Sequence, residues 1–184
     1  GMGTIAEKLG EKLIVKNNTP VNRIYKNKKK NTFYVEIDGD TAVHEFDKII
    51  FALPLPLVPD LYDNFPEFLR KKLKNVYYTP SVTVVMGLKK QFIGHSFMNT
   101  FLRDETDILA TIVLDGYKGS QRIPEGKGLV TAILTKNASK ALFKKTNEKI
   151  EKKVLKEMDS LWEGFSHNLI FSRVSKWQFG GVQL

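Results

Sequence analysis

The chain of 184 residues has no cysteine, and this excludes a disulfide framework, a thiolate metal site and a cysteine nucleophile. It also has no apolar run of the ~20 residues that a membrane-spanning helix needs, because Pro54 and Pro56 interrupt its most apolar stretch. The N-terminus lacks the charged and then apolar segments of a signal peptide. We therefore expect a cytoplasmic protein, with a location at a membrane surface as the alternative.

The motifs that usually carry catalysis are lacking as well. His44, His95 and His167 lie far apart in the sequence and do not have the spacing of metal ligands. There is no nucleophile elbow, no phosphate-binding loop and no zinc-protease helix motif. The carboxylates show no pairing typical of acid–base catalysis. The residues alone thus predict neither a catalytic residue nor a metal site.

The net charge of +9 raises the question of an anionic partner. Lys28, Lys29 and Lys30 lie in a polar run between two apolar segments, as in an exposed hairpin tip. Most lysines between positions 140 and 156 fall on the polar face of a predicted helix, and such solvated faces are the usual origin of charge runs. No nucleic-acid-binding motif is present. We expect no specific nucleic-acid partner and leave open a peripheral contact with an anionic membrane.

Hydrophobic residues make up 42% of the chain, which is typical of a folded globular protein. Thr4 and Glu7 have capping-box spacing at the start of a first helix, and Asp38-Gly39 indicates a hairpin turn. Further helices are predicted at 65–75, with Phe68, Leu69 and Leu73 on one side, and at 146–162. Strands are predicted at 20–25, 32–37, 41–46, 48–53 (of the buried kind), 77–88, 96–102, 108–114, 128–134 and 168–177.

This order of elements predicts an α+β protein. We expect a mixed, largely antiparallel sheet with helices packed on one face, together with a small lobe formed by a β-hairpin and meander. Ile150, Val154, Met158 and Leu161 give the last helix an apolar stripe that can cover such a sheet.

Several features of the first 54 residues occur in the order found in one enzyme superfamily. They are Gly1-Met2-Gly3, a helix with Leu9 and Gly10, Val21-Asn22-Arg23-Ile24, the Asp38-Gly39 hairpin, and the run from Asp47 to Pro54 ending in Ala52-Leu53-Pro54. The segment resembles the flavin-containing amine oxidase superfamily, which includes protoporphyrinogen oxidases and phytoene desaturases. The alternative is a generic β-meander followed by one more strand.

The resemblance continues more weakly to the end of the chain. The segment 77–92, which closes with Lys90-Gln91-Phe92, resembles the strand by which the family enters its substrate sheet. Val174-Ser175-Lys176-Trp177 is similar to the family's return toward the flavin. Residues 1–54 are thus expected to be a lobe of the FAD-binding domain, and residues 55–184 the substrate-binding domain.

The resemblance implies FAD as the cofactor of a larger parent protein. The family holds the pyrophosphate at a Gly-x-Gly-x-x-Gly turn, and this sequence has none. We therefore expect a piece excised from the parent, which does not retain FAD by itself. Its partners would be the flavin-binding domain of the same parent chain and an apolar small-molecule substrate, and self-association through exposed apolar surface is expected.

The resemblance also implies roles for individual residues. Val21, Ala52, Pro54 and Trp177 are implied to contact the cofactor, although each is also explicable as a packing residue. Apolar side chains commonly line ligand pockets, and on that ground Phe97, Phe101, Ile112 and Leu114 are candidates for the substrate cavity. No catalytic residue is implied, because the flavin itself performs the hydride chemistry.

One departure from the family bears on the substrate. Monoamine and polyamine oxidases carry a lysine on the strand that matches Ser81 to Gly87, and this stretch has no lysine. The function expected is therefore hydride transfer from a protoporphyrinogen-like or carotenoid-like substrate to flavin, rather than amine oxidation. The alternative is a free-standing protein that binds a hydrophobic ligand without redox chemistry.

Overall fold

The computed structural model describes residues 2–91, 96–119 and 122–183; Gly1, Phe92 and His95, which the sequence analysis names, lie outside them. The chain divides into two compact units, Gly1–Val76 and Tyr77–Leu184. The α+β class with antiparallel sheets is confirmed. No helix of the described residues is long and apolar enough to cross a membrane.

The described residues form five α-helices and eight strands. The helices are α1 (Met2–Gly10), α2 (Val58–Leu61), α3 (Glu67–Lys74), α4 (Lys136–Leu142) and α5 (Asn147–Leu161). The strands are β1 (Val21–Asn27), β2 (Thr32–Ile37), β3 (Val43–Phe46), β4 (Tyr77–Leu88), β5 (Met98–Thr100), β6 (Leu109–Leu114), β7 (Gly128–Leu134) and β8 (Leu169–Gln183).

A three-stranded antiparallel meander, in the order β1-β2-β3, forms the centre of the first unit. Ile24 and Val35 pair across β1 and β2, and both side chains are buried. The predicted hairpin turn is confirmed: Gly39 has a φ of +74°, a conformation that glycine adopts without the steric cost of a Cβ atom. The three lysines 28–30 are exposed in the turn between β1 and β2, as the sequence predicts.

The predicted buried strand at 48–53 is wrong. The segment has no strand conformation, and the side chain of Ile50 is 92% exposed. A buried strand needs neighbours that pair its backbone N–H and C=O groups, and this segment pairs with no described strand. An apolar run indicates a tendency to be buried but does not supply the pairing partner.

The segment after this run packs back onto the meander. The amide of Asp63 donates to the carbonyl of Ile24 (3.1 Å), and the amide of Lys26 donates to Asn64 Oδ1 (2.8 Å). The guanidinium of Arg70 donates to the backbone carbonyls of Pro59, Tyr62 (3.3 Å) and Asp63 (3.2 Å). These bonds fix residues 55–76 within the first unit. The division into a lobe of 1–54 and a domain of 55–184 is based on the resemblance to the family, whereas the two compact units are based on contacts within the structure. The division at residue 54 stays a prediction.

The second unit is a five-stranded antiparallel sheet in the order β5-β6-β7-β4-β8, with α4 and α5 on one face. The predicted spans of β4 and β7 are confirmed. Thr135 and Thr146 cap α4 and α5 by accepting bonds from Ala138 N and Lys149 N. The core between sheet and helices contains Val82, Val84, Met86, Leu88, Leu109, Ile112, Leu114, Val130, Ala132, Leu134, Ala138, Leu142, Ile150, Val154, Met158 and Phe165.

Three further expectations about the elements need correction. The sequence places Phe68 on one side of α3 together with Leu69 and Leu73, but Phe68 is 65% exposed, whereas Leu69 and Leu73 are half-buried. The strand expected at 96–102 is reduced to the three residues of β5. The last strand extends six residues beyond Trp177, since β4 continues to pair with it as far as Gln183.

Candidate functional site

The sheet of the second unit has one face that no described helix of that unit covers. Side chains alternate between the faces of a strand, so the burial of Val82 and Val84 against the helices places Ser81 and Thr83 on the opposite face. The pairing registers extend this assignment across the sheet. We call this surface the open face; it consists of Ser81, Thr83, Val85, Gly87, Met98, Thr100, Thr111, Val113, Leu129, Thr131, Ile133, Phe171, Arg173, Ser175 and Trp177.

Two aromatic side chains of β8 lie on the open face. Phe171 pairs with Gly87, and a Cβ atom at Gly87 would lie 2.1 Å from the ring. The ring therefore lies against the bare backbone of the central strand. Trp177 pairs with Ser81 and is 63% exposed. Together with half-buried Val85 and Ile133 these side chains give the open face an apolar surface.

Polar groups are interspersed in this apolar surface. Thr131 Oγ1 donates to Asp115 Oδ2 (2.7 Å), and Lys118 Nζ donates to Asp115 Oδ1 (2.6 Å), so both oxygens of this carboxylate are engaged. Thr100 Oγ1 and Thr111 Oγ1 lie 3.4 Å apart. Among the described residues there is no group of three or more histidines, aspartates or glutamates that could hold a metal ion.

The predicted substrate residues are divided between surface and core. Phe97 is exposed beside β5. Phe101 packs against the core and makes an edge contact with Trp162, with ring centroids 5.9 Å apart. Ile112 and Leu114 are 0% and 2% exposed and lie in the core on the side of the helices. The role of these four residues in substrate binding stays a prediction. For Ile112 and Leu114 it requires that a ligand reach the core, whereas the side chains of the open face are already accessible.

The predicted cofactor residues lie in both units. Val21 begins β1 and is half-buried, while Ala52 is exposed and Pro54 half-buried in the segment without strand conformation; Trp177 is on the open face of the second unit. The run around Ala52 is apolar, and Ile50, Ala52 and Leu53 in it are exposed. The sequence offers no glycine-rich turn for a pyrophosphate. The role of these four residues at the cofactor stays a prediction.

The model of the flavin containing amine oxidoreductase family matches residues 1–178. The chain belongs to this family. The resemblance seen in the sequence is thereby confirmed, and flavin is the cofactor that the family's description names. A comparison with curated protein sequences finds no match.

Solved structures show the same fold over nearly the whole chain. A protein described as a protoporphyrinogen oxidase from Exiguobacterium sp. 255-15 aligns with a TM-score of 0.83 and 16% identity, covering 100% of this chain and 40% of its own. Putrescine oxidase bound to putrescine gives 0.68 and 17%, covering 94% and 37%. Reduced UDP-galactopyranose mutase gives 0.73 and 13%, covering 98% and 39%. The chain thus spans about two fifths of the length of these proteins, and identities this low show the fold alone.

The sequence analysis missed most of the open face, including Arg173, Phe171 and Thr83. A partial signal was present in β4, where Ser81, Thr83 and Gly87 are polar or lack a side chain and the intervening Val82, Val84, Met86 and Leu88 are apolar. The two-residue period of a strand assigns these two sets to opposite faces, and only Val85 breaks the pattern. On β8 the same signal is reversed, since the larger side chains lie on the open face, and only the pairing register identifies them.

Proposed function

We propose that the chain forms the substrate-binding part of a flavin-dependent oxidoreductase and that the open face of its five-stranded sheet contacts an apolar substrate. The observation that supports this is the open face itself: it combines exposed aromatic rings, half-buried aliphatic side chains and hydroxyl groups, whereas the opposite face is filled by α4 and α5. Ligand sites in proteins typically have this mainly apolar lining with a few polar groups.

The reaction proposed is hydride transfer from the substrate to flavin, which when bound supplies the redox chemistry. The residues of this chain would orient the substrate and exclude water. Asp115 accepts hydrogen bonds from Thr131 of the open face and from Lys118. Both carboxylate oxygens therefore have a structural role, and Asp115 is not available as a base.

The proposed substrate is protoporphyrinogen-like or carotenoid-like rather than an amine. The stretch in which amine oxidases carry a lysine contributes Ser81, Thr83, Val85 and Gly87 to the open face, and none of them has an amino group. The surface that would contact the substrate therefore has no lysine on this strand. In this proposal Val21, Ala52, Pro54 and Trp177 contact FAD in the whole protein, with residues 1–54 belonging to the FAD-binding domain and residues 55–184 to the substrate-binding domain.

The two tryptophans provide a direct test. Trp177 is exposed on the open face, and Trp162 packs against Phe101 near the helices. In a Trp162→Phe variant, methyl dodecanoate should protect Trp177 fluorescence from acrylamide quenching, because its alkyl chain would cover the ring. In a Trp177→Phe variant the same ligand should leave the quenching of Trp162 unchanged. Protection of Trp162 alone, or of neither residue, would contradict a substrate surface on the open face.

A further inference from the structure

Arg173 is the one positively charged side chain contributed by the described strands of the open face. It lies on β8 opposite Val85 of the central strand, and it is exposed. Among the described residues it has no carboxylate or other hydrogen-bonding partner. A guanidinium group has five N–H donors in a planar arrangement that suits carboxylates, and here all five are available to a ligand.

The surroundings of Arg173 on this face are apolar or neutral. Phe171 and Ser175 flank it on the same strand, and Thr83 lies beside Val85 on β4. The hydroxyls of Ser175 and Thr83 make no hydrogen bond within the described part of the chain. The helices face the other side of the sheet and bring no charge to this one.

Asp115, the carboxylate bonded to this face, cannot serve as the partner of Arg173. It is bound to Thr131 of β7, and β7 is separated from β8 by β4, so the strands lie about 10 Å apart. Both oxygens of Asp115 are already hydrogen-bonded, one of them to Lys118. Arg173 is therefore an uncompensated cation at the edge of an apolar surface.

We infer that the ligand of the open face carries an anionic group, a carboxylate, on an apolar body, and that Arg173 binds this group. Ser175 is the next residue along β8 on the same face as Arg173, and Thr83 on β4 is the pairing partner of Ser175, so that both hydroxyls can donate to the same anion. The apolar body then lies over Val85 and Ile133 and reaches the exposed ring of Trp177, four residues along β8 from Arg173. This inference rests on the proposed function, because it assumes that the open face is the substrate surface.

The inference distinguishes between substrate classes. An alkylammonium group would be repelled by Arg173, so amines are disfavoured for a second reason besides the missing lysine. A hydrocarbon without a charged group would gain nothing from Arg173. Among apolar substrates the structure thus favours those that bear a carboxylate.

Three ligands with similar alkyl chains test the inference: dodecanoic acid, methyl dodecanoate and dodecylamine. Their affinities are measured at moderate salt by protection of Trp177 from acrylamide in the Trp162→Phe background. A hydrogen-bonded ion pair at a partly exposed site should make the acid bind about five- to tenfold more tightly than the ester, and the amine should bind more weakly than the ester. In Arg173→Gln the preference for the acid should disappear, while the affinity for the ester stays unchanged.

Lys153→Gln is the matched control, because it removes one positive charge from α5 on the other side of the sheet. It should keep the preference for the acid, which excludes a general effect of the net charge of +9. If the ester binds but the acid binds no more tightly, or if the acid still binds more tightly in Arg173→Gln, then Arg173 does not recognise the anion. The proposed substrate surface would still be supported by the binding of the ester. If none of the three ligands protects Trp177, both the proposed surface and this inference are wrong.

Discussion

Gly87 lies in the central strand β4, and its lack of a side chain leaves the space that the ring of Phe171 fills on the open face. The contact needs no unusual backbone conformation, since only space at Cβ is required. It determines the depth at which the aromatic ring lies against the sheet. A single residue thus shapes the surface on which the proposed ligand would rest.

Gly87→Ala should destabilise the second unit. The new Cβ would lie 2.1 Å from the Phe171 ring, and relief of such an overlap costs about 1–3 kcal/mol. Urea denaturation followed by circular dichroism measures the free energy of unfolding. Gly181→Ala is the control, because a Cβ atom at that position would meet no atom within 4 Å, and it should change stability by less than about 0.5 kcal/mol. Equal losses in both variants would show that the ring contact is not the cause.

The identity of the buried residues on β4 is predictable from the sequence, whereas the ligand-facing residues on β8 are not. Val82, Val84, Met86 and Leu88 are apolar at every second position, which the two-residue period of a strand places on one face, although Val85 on the other face is apolar too. Phe171 and Trp177 look like core residues by the same criterion, and yet both are exposed. Hydrophobicity does not distinguish a side chain that packs in the core from one that is available to a ligand.

A hydrogen bond between Asp159, in the last turn of helix α5, and the turn that follows fixes the end of the helix. Asp159 Oδ1 accepts from the backbone amide of Ser166 (2.8 Å), and Gly164 reverses the chain between them with a φ of +75°. The backbone and side-chain hydrogen bonds from Ser166 lower the pKa of the Asp159 carboxyl below its ordinary value. The bonds favour the ionised form, so ionisation of Asp159 and folding are coupled.

Asp159→Ala should lower the free energy of unfolding at pH 7 by about 0.5–1 kcal/mol, the usual range for a hydrogen bond at a partly exposed site. A carboxyl with a lowered folded-state pKa contributes stability above its unfolded pKa of about 3.9 and loses it as the pH falls through the folded value. The difference between wild type and variant should therefore shrink in acid. A difference between wild type and Asp159→Ala that stays constant as the pH falls would contradict the coupling.

The sequence predicts a helix or strand correctly where the residues of that element themselves show its periodicity or its cap. β2, β4 and β7 have the expected bounds, and the Thr146 cap lies where the last helix is expected to begin. The segment 48–53 failed because a strand depends on a partner that the local sequence does not specify. Helix α4 was missed, since seven residues are too few to show a helical period.

At the scale of the whole molecule, much apolar surface of the first unit is exposed. Ile14 and Ile50 are almost fully accessible, and Ile5, Leu9 and Leu13 are exposed on and after α1. Large apolar patches usually mark contact surfaces. In the proposed function their partner is the flavin-binding domain of the same parent chain, and self-association of the chain through this surface stays a prediction.

The chain alone should not retain FAD. Its residues offer apolar contact for the ring but no glycine-rich turn for the pyrophosphate, and the phosphate contacts ordinarily come from backbone N–H groups at a helix N-terminus. The test is the visible absorption spectrum of the purified chain after incubation with FAD and gel filtration. Stoichiometric flavin in the protein fraction would show that the chain builds a complete cofactor site and would contradict this prediction.

The bonds of Arg70 have a consequence for how the first unit tolerates sequence change. One guanidinium group binds three backbone carbonyls, one within the short helix α2 and two directly after it. Lysine would keep the charge but has a single donor atom, so it cannot reach three acceptors with the same planar geometry. An exchange of Arg70 for lysine, which a substitution table scores as mild, would therefore leave some of these carbonyls without their donor, while the bonds of Asp63 to Ile24 and of Lys26 to Asn64 still hold the segment.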